Sequence, residues 1–128
     1  PAQVAEHLLI LDIVANKVLA GETIESNRPP DSKIDLIRSA MEDASTPRTA
    51  PDHVVPGHVD KRPDQFRESF QHQRSALKTK IDTLDLSEAC KAHKHPALGT
   101  LTRLEWIYFT IYHTHRHIGQ LARLAEMA

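Results

Sequence analysis

The 128-residue chain carries 16 Lys+Arg against 17 Asp+Glu, for a net charge of −1, and 40% of its residues are hydrophobic. This composition suits one soluble globular domain that buries roughly 65–70% of its unfolded surface. The cations are dispersed rather than striped, which argues against a nucleic-acid or anionic-membrane partner. A single cysteine, Cys90, excludes an internal disulfide. No apolar run approaches the ~18 residues of a membrane span, and no signal-peptide pattern is seen, so the expected location is the cytoplasm.

Residues 2–20 place Val4, Leu8, Leu11, Val14, Ala15 and Val18 at helical spacing. Pro1 suits a first helical position and Gly21 an end. Residues 22–30 read as loop, stopped by Pro29-Pro30. Ser32 is the expected cap of a short helix through Ile34, Leu36, Ile37 and Met41. Segment 45–63 holds four prolines and a glycine, which predicts a long loop, functional or mobile, over one end of the fold. Pro63 opens a third helix with Phe66, Phe70, Leu77, Ile81 and Leu84 as its stripe and a polar outer face. Asp85–Glu88 fits one short turn, and 91–99 a connector. Thr102 and Glu105 form a capping-box pattern for a last helix running to about 127. No strand is expected. The class is all-α, an up-and-down helical bundle.

Nine histidines stand in the sequence, three of them in HTHRHIGQ, residues 113–120. His113 and His117 are four apart, so both rings can reach one ion from one helix face. That spacing alone is weak, because with nine histidines one such pair is unremarkable. On a helical wheel Glu105, Arg116 and Arg123 cluster and mark the solvent side of the last helix. His113 and His117 then lie at the edge of the buried face, and His115 falls on the opposite flank. His7 lines up with Val4, Leu11, Val14 and Val18 and points inward. Two readings stay open. In one, His7 bonds a backbone carbonyl or Gln120, and the pair is half exposed. In the other, three neutral imidazoles from two helices hold a divalent metal and leave a position open for water or substrate.

The other histidines carry less. His72 sits in a polar stretch and should be solvated; His53, His58, His93 and His95 are loop residues. His95 precedes His113 by roughly 20 Å of helix length, too far to share an ion unless the loop folds back. Cys90 has no nearby base and reads as structural. Trp106, Tyr108, Phe109 and Tyr112 read as core, with Trp106 and Phe109 also able to wall a pocket beside His113. No Ser-His-Asp pattern or phosphate loop is present.

The run HPALGTLTRLEWIYFTIYHTHRHIGQLARL, 95–124, resembles the end of DinB-like proteins. There an HPxLGxLTxxEW lead-in precedes a helix bearing HxxxHxxQ. Here these positions are His95-Pro96, Leu98-Gly99, Leu101-Thr102, Glu105-Trp106, then His113, His117 and Gln120. The opening PAQVAEHLLILD is similar to that family's second, histidine-bearing helix. The resemblance implies one DinB-like domain over residues 1–128, akin to thiol-dependent S-transferases and isomerases on a four-helix bundle. It implies His7, His113 and His117 as metal ligands, with Zn or Ni as the ion, and Gln120 supporting a ligand or facing the open position. The family normally has a helix before the histidine-bearing one, so a bundle lacking its first helix is the expectation.

Two functions follow. The first is a divalent-metal-dependent enzyme that transfers a low-molecular-weight thiol to an electrophile, with small molecules as partners. The second is a non-catalytic helical binding or assembly module with a structural or vestigial metal site. The first helix is apolar over a wide arc through Leu8, Leu9, Ile10, Leu11, Ile13 and Val14. It therefore needs cover from an N-terminal helix, a second copy in a homodimer, or both.

Overall fold

The computed structural model describes residues 2–43 and 61–127. Most of the expected proline-rich loop, with His53 and His58, lies outside the described residues. Among the described residues four helices are formed: α1 (Ala2–Ala20), α2 (Ile34–Glu42), α3 (Pro63–Thr83) and α4 (Arg103–Met127). α1 packs against both α3 and α4, and α2 packs against α4. The all-α bundle expected from the periodicities is the architecture found.

The core lies where these helices meet. Leu19 (1% exposed), Ile37 (0%) and Leu101 (0%) are sealed from water, and Trp106 and Phe109 pack with them. Each such side chain contributes about 1.5–3 kcal/mol relative to exposure. Leu77 is the fully buried member of the α3 stripe, while Ile81 at its far end is 40% exposed, against expectation. α3 touches the bundle through α1 alone among its stronger contacts, so its last turn has little to pack on.

A short antiparallel ladder was not expected from the sequence. β1 (Thr23–Ile24) pairs with β2 (Ala89–Cys90) in the register Thr23↔Cys90 and Ile24↔Ala89. Two residues per strand are too few to show an alternating pattern. The ladder ties the loop after α1 to the connector before α4, and the Cys90 N–H donates onward to the Leu101 carbonyl at 2.9 Å.

α4 begins as predicted. The Glu105 N–H donates to Thr102 Oγ1 at 3.2 Å and the Thr102 N–H donates to Glu105 Oε1 at 3.0 Å, a reciprocal cap. α3 opens on Pro63, with the Arg62 N–H donating to Gln65 Oε1 at 2.7 Å. Ser32, however, does not cap α2. Its hydroxyl oxygen accepts from Arg28 at 2.7 Å, and Lys33 occupies the cap position without a side-chain bond to the helix end.

Glu105 overturns the wheel argument. It is 0% exposed and belongs to the interior, not the solvent side. Its Oε1 accepts from Arg28 Nη2 at 2.6 Å, and its Oε2 accepts from Arg28 Nη1 at 2.7 Å and the Lys33 N–H at 2.8 Å. Arg116, on the same face, donates to the carbonyls of Met41 (3.0 Å) and Asp43 (2.7 Å) at the end of α2. α2 covers the earlier turns of this side of α4, so Glu105 and Arg116 face a neighbour, while Arg123 beyond it is exposed as expected.

The HPALG turn has its own logic. His95 Nδ1 accepts from the N–H groups of Ala97 and Leu98, both at 3.1 Å, and His95 and Gly99 exchange two backbone bonds of 2.9 Å. Gly99 closes the turn at φ 76°, where a side chain would be strained.

Candidate metal centre

α1 and α4 lie side by side and bring three imidazoles together. One ligand atom from each of His7, His113 and His117 lies within 4.8 Å of the other two. Ring centroids are 4.8 Å apart for His7–His117, 5.5 Å for His7–His113 and 4.7 Å for His113–His117. The Nε2 atoms of His113 and His117 are 3.0 Å apart. Two nitrogens bound at 2.0–2.1 Å with tetrahedral angles lie roughly 3.3–3.4 Å apart, so a small adjustment of the rings admits an ion.

The hydrogen bond at the far side of His117 suits that fit. Gln120 Oε1 lies 2.8 Å from His117 Nδ1. With Nδ1–H donating to this oxygen, the Nε2 lone pair points at the cluster. Burial, joined by the charges of His117, His7, Arg116 and His95, pushes the His113 imidazole down to about 3. His117 is also lowered, first by burial and then by His7 and Arg116, with the Gln120 bond opposing. Both rings are thus neutral at physiological pH, the form that ligates. At 3.0 Å the two Nε2 atoms can share one proton as a hydrogen bond, and a cation between them would take that proton's place and accept both lone pairs. The donor set is all nitrogen, suited to zinc, nickel, copper or iron and not to the hard oxygen-seeking ions.

One wall of the site is a cavity of about 20 Å³ between α1 and α4, lined by Leu8, Leu11, Asp12, Trp106, Phe109, Thr110 and His113 among others. The expectation that Trp106 and Phe109 wall a pocket beside His113 holds, and both are core residues as well. Asp12 is the residue that sequence reasoning missed. It is 1% exposed and accepts from Arg74 of α3 at 2.9 Å (Nε) and 3.2 Å (Nη2). Burial raises its carboxyl, with Arg74 opposing. Arg74 also donates to Thr114 Oγ1 at 3.1 Å, so it spans α1 and α4 beside the histidines. One turn on, Asn16 donates to Gln73 Oε1 at 2.8 Å and accepts from Lys80 at 2.9 Å. The available signal was Asp12 and Asn16, four apart in the run LLILDIVANKVL, which is otherwise apolar apart from the exposed Lys17. Polar residues on a buried face require partners.

The remaining histidines sort cleanly. His72 and His115 are exposed. His95 does fold back: its ring lies 5.0 Å from Phe109, which lies 5.2 Å from His113. It stays outside the cluster of three, and its Nδ1 is engaged by the turn. His93 rests on Trp106 at 5.4 Å. Cys90 is 1% exposed and pushed up to about 11 by burial, with Arg103 opposing, which makes it an inert structural thiol.

Comparison with known proteins agrees with the motif. The model of the DinB superfamily matches residues 1–121. The chain belongs to the DinB superfamily. This DinB chain is also similar to the "uncharacterized protein YuaE" of Bacillus subtilis (strain 168). The two are 27% identical, over 97% of this chain and 75% of that protein. No solved structure matches the chain significantly. No described helix is long and apolar enough to cross a membrane.

Proposed function

We propose that this DinB chain is a divalent-metal-dependent transferase that moves a low-molecular-weight thiol onto a small electrophile. The carrying observation is the convergence of His7, His113 and His117, with ligand atoms within 4.8 Å of one another. Three protein ligands are the arrangement of catalytic sites, because a coordination position is left for an exchangeable group. A bound Zn or Ni ion would supply Lewis acidity there, lowering the pKa of a thiol so that thiolate is available near neutral pH. The chain's own contributions are positional. Gln120 sets the orientation of His117. Phe109 and Trp106 form a largely apolar wall beside His113 that shields the site from bulk solvent, which favours a nucleophilic thiolate.

A second reading has a specific observation behind it. The buried carboxylate that shares a cavity with His113, Asp12, is held by Arg74 at 2.9 and 3.2 Å as an ion pair. A helical binding module with a structural metal needs no free base.

The two readings separate in one series of experiments. Elemental analysis of purified protein comes first, then turnover assays of the zinc- and nickel-loaded chain with a panel of thiols and electrophiles. Turnover that a chelator abolishes and metal restores is the expected result. Full metal uptake without turnover across the panel favours the binding module.

A further inference from the structure

Among the described residues, two buried side-chain polar atoms have no hydrogen-bond partner: Trp106 Nε1 and His113 Nδ1. Both residues line the cavity of about 20 Å³ between α1 and α4. A cavity needs roughly 10–15 Å³ on this measure to hold one water, and the water needs two to four polar partners.

The cavity supplies those partners. Trp106 Nε1–H can only donate. Thr110 Oγ1 gives its hydrogen to the Trp106 carbonyl at 2.9 Å, and Thr114 Oγ1 gives its own to the Thr110 carbonyl at 2.7 Å. The Thr110 oxygen therefore keeps lone pairs for a further donor. The Asp12 oxygens each accept one bond from Arg74, at 2.9 and 3.2 Å, and keep lone pairs too. The rest of the lining is apolar.

We propose that one buried water occupies this cavity, accepting from Trp106 Nε1–H and His113 Nδ1–H and donating to Asp12 and Thr110. Two bonds accepted and two donated complete a water molecule's capacity. The count closes only when His113 carries its proton on Nδ1, the tautomer that turns the Nε2 lone pair toward His7 and His117. Asp12 thereby becomes a positioning residue for His113, acting through the water as Gln120 acts directly on His117. The water site stands on the cavity and the orphan atoms; its effect on metal binding rests on the metal reading above.

The test uses the full chain. Trp106 is the single tryptophan, so its indole N–H gives one resolved NMR signal. In metal-free protein this N–H is expected to cross-relax with a long-lived water. Absence of that contact overturns the water site. In zinc-loaded protein, long-range proton–nitrogen spectra are expected to place the His113 proton on Nδ1, and a proton on Nε2 overturns the tautomer. Cobalt titrations then compare wild type with Asp12→Asn and Thr110→Val. Each variant is expected to bind about 10–100-fold more weakly. Thr110→Val keeps the Asp12–Arg74 pair and decides the matter if Asp12→Asn fails to fold. Affinities within twofold of wild type overturn the positioning role. A wild type that shows the water but takes up neither zinc nor cobalt overturns the metal reading and upholds the water site.

Discussion

Gln120 Oε1 lies 2.8 Å from Nδ1 of His117, three residues along α4. The bond leaves the opposite nitrogen of His117 facing His113 and holds the ring against rotation. Gln120→Leu keeps the size of the side chain and removes the acceptor. Zinc affinity, read by isothermal titration, is expected to fall about 10–100-fold with helix content unchanged. An unaltered affinity would show that packing alone orients His117.

His113→Ala and His117→Ala should each abolish stoichiometric metal uptake, read by elemental analysis after dialysis. Three imidazoles make the site, and two do not close a zinc shell. If both variants retain wild-type metal content, the metal lies elsewhere.

The pH dependence of the metal-free chain has a defined sign. The folded His113 value of about 3 lies below the ordinary 6.5, and His117 is shifted the same way. Between those values the unfolded chain binds protons that the folded chain does not. Stability therefore falls as pH drops from about 6.5 toward about 3. Urea midpoints at pH 7, 5.5 and 4.5, the test conditions, should decrease in order. The decrease should be shallower in His113→Gln, which has no imidazole to charge. A midpoint that does not move with pH would refute the assignment of a buried neutral ring.

Glu105 tests the other end of α4. Burial alone would raise its carboxyl. The Arg28 bonds and the N–H groups of Thr102 and Lys33 outweigh it and hold the value below the usual 4.5. This contribution is complete above about 4.5 and is lost as pH falls through the depressed folded value. Glu105→Ala leaves Arg28 unpaired and removes the α4 cap, so a loss of about 3–5 kcal/mol is expected in urea unfolding. A loss under 1 kcal/mol, the value of an exposed pair, would mean that Arg28 is solvated when alone.

Assembly is testable on α4. Ile111 (39% exposed) and Ile118 (55%) are two turns apart on one face, while Ile10 and Ile13 of α1 are only half-exposed. A two-fold dimer is the expected state, and light scattering should return about twice the 14.4 kDa of one chain. Ile118→Lys should shift it toward monomer. A wild-type monomer at high concentration would remove the dimer from consideration.

Much of this molecule is legible in its residue order, because helix formation and capping are local. The apolar spacing in 2–20, Pro63, and the Thr102–Glu105 box each specify an element within a few residues of themselves. The inward line of His7 on one helix and the His113–His117 pair on another follow from the same 3.6-residue period. Their meeting does not, since a wheel shows a direction and not what lies along it. Glu105 makes the point: its direction was read correctly as shared with Arg116, but α2 and Arg28, 77 residues away in sequence, stand where water was expected. The return of His95 to Phe109, the Thr23–Cys90 pairing and the Asp12–Arg74 bridge are likewise contacts between distant segments. Nothing local encodes them beyond a polar residue in an apolar run. The sequence determines the helices and nominates the three histidines; the packing of α1 against α3 and α4 decides that they face one another. It also decides that Asp12 is buried beside them. Those outcomes depend on which surfaces exclude water together, a property of the assembled core and not of any segment.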